Sequence, residues 1–400
     1  MVNRHAASCG TKEFTAPGSR RRPAAFDLDE LFAAAQLQRT EPSSLSPCFV
    51  PAYQRLAEAL TEEAALTPAG VDVARRRLVS ALGNQIKVRE LVEAHAVDPE
   101  LYGDDAVFVL GLPGTGLYRL QRLLNQHSAF NIPSLWEILS PSAEWHPWQA
   151  AGASDDPFER ALWSHLGQCD GFRPPDLGAP YGDHLLLTYA FHTFSAALEY
   201  RIPSYSRWLH AQDTTTAYEF HRYALAVILQ RVSGGTPLLV NEFHSLQLPS
   251  LFASYPTARV IRVHRDPLES LSNVVGVSTT RRRAWSTRVD PVEATSEWAG
   301  QLGAAMSVPS WSDPAPPGAA VLDVTHAEVL QTPLLTVRRI CEFAGVPLPG
   351  GIERRVLEQV SQFEGTLEER HFARPDETTL PEDFRALRAA YCRRWGLSSC

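Results

Sequence analysis

Apolar residues recur at helical spacing between Asp27 and His95. Leu28, Leu31 and Phe32 open the pattern, residues 53–64 continue it, and a long run over 70–94 starts after Thr67-Pro68. The pattern then changes to a solid apolar run, 105–111 (DAVFVLG), that stops at Gly111-Leu112-Pro113-Gly114-Thr115-Gly116 and turns helical again over 117–124. Residues 132–215 read as mainly helical with aromatic clusters that include Trp136, Trp145, Trp148, Trp163 and Tyr181, a composition that suits a core or a pocket for a flat apolar molecule. Three more short apolar runs, 236–241 (TPLLVN), 258–264 (ARVIRVH) and 319–324 (AAVLDV), each precede a helical stretch. Strands that alternate with helices predict an α/β fold with a parallel sheet covered on both faces. A single such domain is expected over 26–400, with 26–104 as its helical N-terminal part, and the aperiodic polar segment 1–25 as a disordered tail. Segment 281–318 is weakly periodic, and reads equally as a lid or as a long surface connection.

In such sheets ligands sit at the carboxyl ends of the strands. Here those ends are the loop 111–118, Glu242 to His244, His264-Arg265-Asp266-Pro267 and Thr325-His326. A strand that breaks at a glycine-rich turn leaves several backbone N–H groups facing one small space, which favours an anion such as phosphate or sulfate. The loop residues Pro113, Gly114, Thr115, Gly116, Leu117 and Tyr118 are therefore the leading binding candidates. The loop holds no lysine or arginine of its own.

Composition narrows the partner. The 400 residues carry a net charge of −8, with 44% apolar and 20% charged residues, which is a globular mix without the positive field that nucleic acid or a membrane surface requires. Only Lys12 and Lys87 are lysines, so lysine chemistry is not expected in the core. Cys9, Cys48, Cys169, Cys341, Cys392 and Cys400 form no CxxC pair, no apolar leader is evident, and no run is long enough to span a membrane, so a reduced cytoplasmic protein is expected. The 13 histidines show no zinc spacing and no Gly-x-Ser-x-Gly elbow occurs, so neither a metal nor a serine hydrolase is expected. The partner expected is a small molecule; oligomeric state leaves no mark.

From about residue 55 onward the chain resembles the bacterial sulfotransferases, whose P-loop-like fold uses 3′-phosphoadenosine 5′-phosphosulfate. The resemblance rests on the loop Gly111 to Tyr118, on His244 followed after 20 residues by His264-Arg265-Asp266-Pro267, on 134–141 (SLWEILSP), on 202–208 (IPSYSRW), and on 322–325 (LDVT) with 337–340 (VRRI). It implies transfer of a sulfuryl group to a hydroxyl of a small, largely apolar acceptor. The loop would hold the 5′-phosphosulfate, Arg265 would grip the 3′-phosphate, and Asn273 stands at the position of a second phosphate ligand, usually serine. His244 matches the residue that takes the acceptor's proton, with Glu242 beside it to orient its ring or raise its pKa.

The chain departs from the family at the donor positions. Gly114 replaces the loop's basic residue, Leu117 and Tyr118 replace its hydroxyl pair, Val240 replaces a lysine, and Glu242 a proline. Arg119, on the first turn after the loop, or Arg281, Arg282 and Arg283 further on, are the cations available to compensate. Two other readings stay open: an enzyme that keeps the fold and His244 but has abandoned the donor, such as a dehydratase, cyclase or acyl-processing enzyme of secondary metabolism, and a non-catalytic relative that binds a metabolite or a partner protein.

Overall fold

The computed structural model describes residues 24–34, 48–142, 178–231, 234–308, 315–363 and 372–397. Trp145, Trp148, Trp163 and nearly all of the tail expected at 1–25 lie outside them. Five strands, β1 (Val107–Gly111), β2 (Phe130–Asn131), β3 (Thr236–Val240), β4 (Arg259–His264) and β5 (Ala320–Thr325), form one sheet in the order β2-β3-β1-β4-β5. Every pairing is parallel.

The helices used below are α1 (Val50–Glu62), α2 (Pro68–Glu93), α3 (Tyr118–Leu124), α4 (Thr215–Leu229), α5 (Pro267–Trp285), α6 (Pro291–Ser307), α7 (His326–Gln331), α8 (Pro333–Ala344) and α9 (Ile352–Phe363). Strand β1 lies at the centre and is apolar at every position before Gly111, because side chains alternate between two buried faces. Phe108 and Leu110 enter a core built with α1, α2, α4, α5 and α6. Val107 and Val109 enter a second core built with α3, α8 and α9. At about 1.5–3 kcal/mol for each fully buried large apolar side chain, this central strand is strongly fixed in place.

That fixation positions the site. Register pairs Gly111 with Val263 and Val109 with Val240, so β1 and β4 end within one residue of each other and β3 stops two residues earlier. The chain leaves β1 toward β2 on one side and leaves β4 toward β5 on the other, which opens a crevice at the carboxyl ends of β1 and β4. The glycine loop and Arg265 are the residues that follow those two strands.

The N-terminal helices are anchored far from this crevice. Thr67 caps α2 by accepting from the Gly70 N–H at 3.0 Å, and its own N–H donates to the Trp285 carbonyl at 2.8 Å at the end of α5. Within 281–318, α6 is a core helix: Trp298 is fully buried and its indole N–H donates to Ser278 at 2.9 Å. Within the segment expected as a lid or a surface connection, residues 281–307 are thus mostly helical, and residues 309–314 lie outside the described residues. Cys341 is a free thiol, whereas Cys392 is disulfide-bonded, which departs from the expectation of six reduced cysteines. Among the described residues no helix is long and apolar enough to cross a membrane.

Candidate functional site

The loop after β1 bends because Gly114 (φ 90°) and Gly116 (φ 86°) adopt the left-handed region, where only glycine is unstrained. Thr115 locks the bend internally: its N–H and its hydroxyl both donate to the Leu112 carbonyl, at 2.9 and 2.6 Å. The backbone N–H groups of Gly114, Gly116 and Leu117 consequently converge, as the sequence predicts.

They converge on a side chain of the protein itself. Glu242 follows β3 in a 3₁₀ turn (Glu242–Leu246) capped by Asn241, whose side chain accepts from the Phe243 N–H at 2.9 Å. Its carboxylate accepts from Gly114 N–H at 2.6 Å, from Gly116 N–H at 2.6 Å and from Leu117 N–H at 3.3 Å. Bonds this short are typical of an ionised acceptor. Burial pushes the Glu242 carboxyl above its ordinary range, and the three N–H groups and Arg265 oppose that rise without cancelling it.

Arg265 packs against the nest. Arg265 donates through Nη1 to the Thr115 carbonyl at 3.2 Å and through Nε to Glu269 at 3.0 Å. A Cβ on Gly116 would lie 3.6 Å from Arg265 Nη1 and 3.8 Å from His326 Nε2, so the missing side chain leaves a small space lined by both groups. Burial, Arg265 and Arg119 lower the His326 pKa to about 4. Arg119 thus contributes to the same field from the first turn of α3.

The position of the absent loop cation is closed. A Cβ on Gly114 would overlap the Ser270 carbonyl and lie 3.0 Å from the Val274 N, because α5 packs directly on the loop. Asn273, expected to contact a phosphate, instead donates from Nδ2 to the Gly114 carbonyl at 3.1 Å. Leu117 is buried in the second core, while Tyr118 is 46% exposed with the Arg122 guanidinium 5.7 Å from its ring centre.

The other proposed compensating arginines are remote. Arg281 donates to Glu199 at 2.9 Å, and Arg282 is buried against Glu297 at 2.9 Å and the Ala197 carbonyl. Both sit about three turns along α5 from Ser270, roughly 18 Å at 1.5 Å per residue.

His244 does not join the loop. It is fully buried, its Nδ1 lies 2.7 Å from the Tyr218 hydroxyl and its Nε2 lies 2.9 Å from Asp183 Oδ2. The same Oδ2 lies 2.9 Å from His221 Nε2, and His221 Nδ1 is 2.8 Å from the Tyr255 hydroxyl. The partner expected to orient His244 was Glu242; Asp183 takes that place, because the chain leaves the strand at Val240 and turns into a 3₁₀ helix. Burial would raise Asp183, yet the two imidazoles outweigh it and hold its carboxyl far below the usual carboxylate range. Burial lowers His221. An arrangement in which each Nε2–H donates to Oδ2 and each tyrosine O–H donates to Nδ1 satisfies both rings. Asp183, His221 and His244 also bring their ligand atoms within 4.8 Å of one another, a metal-type grouping that motif spacing did not reveal.

Residues 106–350 match the sequence model of the sulfotransferase family, and the chain belongs to that family. Two solved structures share its fold: sulfotransferase STF1 of Mycobacterium tuberculosis H37Rv, 23% identical with a TM-score of 0.69 over 86% of this chain and 96% of that one; and sulfotransferase STF9 of Mycobacterium avium, 20% identical with a TM-score of 0.73 over 92% and 96%. No curated protein matches the chain in sequence.

Proposed function

We propose that this sulfotransferase-family protein transfers a sulfuryl group from 3′-phosphoadenosine 5′-phosphosulfate to a hydroxyl of a small, largely apolar acceptor. The observation that carries the reading is the convergence of three loop N–H groups on one carboxylate: the nest holds an anion, and Arg265 and His326 line the space beside it. These residues fit the anionic ends of such a donor. When bound, the donor supplies an activated sulfuryl group on a phosphate leaving group.

The loop N–H groups bind the 5′ anion, and Arg265 binds the 3′-phosphate. Arg119 adds positive field beside the loop, where the family's own loop cation is missing, and the neutral His326 imidazole lines the same space. Because His244 is sealed in the interior with both ring nitrogens engaged, the proton of the acceptor hydroxyl passes to a carboxylate oxygen of Glu242. The exposed ring of Tyr118 offers an apolar surface for the acceptor beside the loop.

Titration with 3′-phosphoadenosine 5′-phosphate tests the donor site. Saturable binding is expected, weakened about 10- to 100-fold in Arg265→Ala through loss of charge-assisted hydrogen bonds worth ~1.5–3 kcal/mol. No binding at millimolar nucleotide would refute the reading. The closed position above Gly114 favours a second reading, an enzyme on this fold that no longer uses the donor; it predicts acceptor turnover in the absence of nucleotide.

A further inference from the structure

An anion nest that is already filled sets a condition on every ligand that needs it. The two oxygens of Glu242 take the N–H groups of Gly114, Gly116 and Leu117. A phosphate or sulfate oxygen would require the same donors, and each backbone N–H has one proton to give. The loop offers no alternative berth on its α5 side, where Ser270, Asn273 and Val274 are in contact with Gly114.

The carboxylate is aimed at the nest by a rigid support. The Asn241 N–H donates to the Val109 carbonyl of β1 at 3.0 Å, and the Ser245 hydroxyl donates back to the Glu242 carbonyl at 2.7 Å. The backbone of the turn is therefore fixed to the sheet, while the side chain, half-buried, is what can move aside.

Resting on the donor reading above, we propose that Glu242 is a resident occupant of the 5′-anion position, so that a 5′-phosphate or phosphosulfate enters the loop only by displacing its carboxylate. Glu242 thereby sets the donor affinity of the site. The cost falls on ligands with a 5′ anion and spares those without one.

The test compares the full-length protein with Glu242→Ala and Glu242→Gln, checked for folding by circular dichroism. Two nucleotides are titrated: 3′-phosphoadenosine 5′-phosphate, and adenosine 3′-phosphate, which lacks the 5′ anion. In Glu242→Ala the bisphosphate is expected to bind at least tenfold more tightly than in the wild type, with Glu242→Gln in between, while adenosine 3′-phosphate stays within about twofold. Equal or weaker bisphosphate binding in Glu242→Ala, or equal tightening of both nucleotides, would overturn the proposal. If neither nucleotide binds any of the three proteins, the donor reading fails, and inorganic sulfate then decides the role of Glu242 by itself. Sulfate that raises the melting temperature of Glu242→Ala but not of the wild type upholds it; the same response in both overturns it.

Discussion

Restoring the family's basic residue at position 114 is expected to damage the protein instead of improving it. Gly114 has φ 90°, a conformation that costs a side chain with a Cβ roughly 1–2 kcal/mol. The added Cβ would also overlap the Ser270 carbonyl and crowd the Val274 N at 3.0 Å, and both belong to α5, the helix that carries the Arg265 side of the crevice. Overpacking of this kind costs typically ~1–3 kcal/mol. Gly114→Arg should therefore lose about 2–5 kcal/mol, and Gly114→Ala, which adds the same Cβ without the charge, should lose nearly as much. Urea denaturation followed by tryptophan fluorescence measures the loss, and titration with 3′-phosphoadenosine 5′-phosphate measures any gain. A Gly114→Arg protein of wild-type stability that binds the nucleotide more tightly would refute the reasoning, because it would mean that the loop and α5 separate easily.

The interior network makes its own predictions. Asp183→Asn replaces a carboxylate oxygen shared by two imidazole N–H groups with an amide, and should destabilise the fold by ~1–3 kcal/mol in urea denaturation, as when a buried donor loses its acceptor. Tyr218→Phe leaves His244 Nδ1 unpaired and should cost ~1–3 kcal/mol while leaving nucleotide affinity unchanged, which separates an interior role for His244 from a role at the loop. Stability should also fall as pH drops from about 6.5 toward 4. His184 and His326 are both lowered to about 4 in the folded state, chiefly by burial, so the unfolded chain takes up protons first and is favoured across that window. His184→Phe should flatten this pH dependence in urea denaturation measured between pH 7.5 and 4.5; an unchanged slope would contradict the assignment.

Much of the architecture was legible in the sequence because it rests on local signals. Four of the five strands coincide with short apolar runs, and the loop bends at the glycines that a left-handed backbone requires. Arg265 is delivered to the loop simply by following β4. Strand β2, of two residues, left no run long enough to read. What the sequence hid depends on contacts between distant segments. Glu242 meets Gly114 across 128 positions, and no local pattern announces that a carboxylate will enter an anion nest. Strand periodicity does not show that Asn241 caps a 3₁₀ turn, which sends the Glu242 carboxylate to the loop and the His244 imidazole inward. Asp183 lies in no motif and stands out only once His221 and His244 are seen to share its Oδ2. Arg281 and Arg282 lie on the helix that follows Arg265, yet its length carries them away from the loop to Glu199 and Glu297.

The central claim is that this family member still moves a sulfuryl group, with Glu242 receiving the acceptor's proton. The most direct measurement is single-turnover transfer of radiolabelled sulfate from 3′-phosphoadenosine 5′-phosphosulfate to a panel of phenols and apolar alcohols, with wild type, Glu242→Gln and His244→Gln side by side. The account predicts a sulfated product with the wild type, a rate lowered by on the order of 10²–10⁴ in Glu242→Gln under saturating donor, and a much smaller loss in folded His244→Gln. Transfer that survives in Glu242→Gln and vanishes in folded His244→Gln, or no labelled product from the wild type with any acceptor, would contradict it.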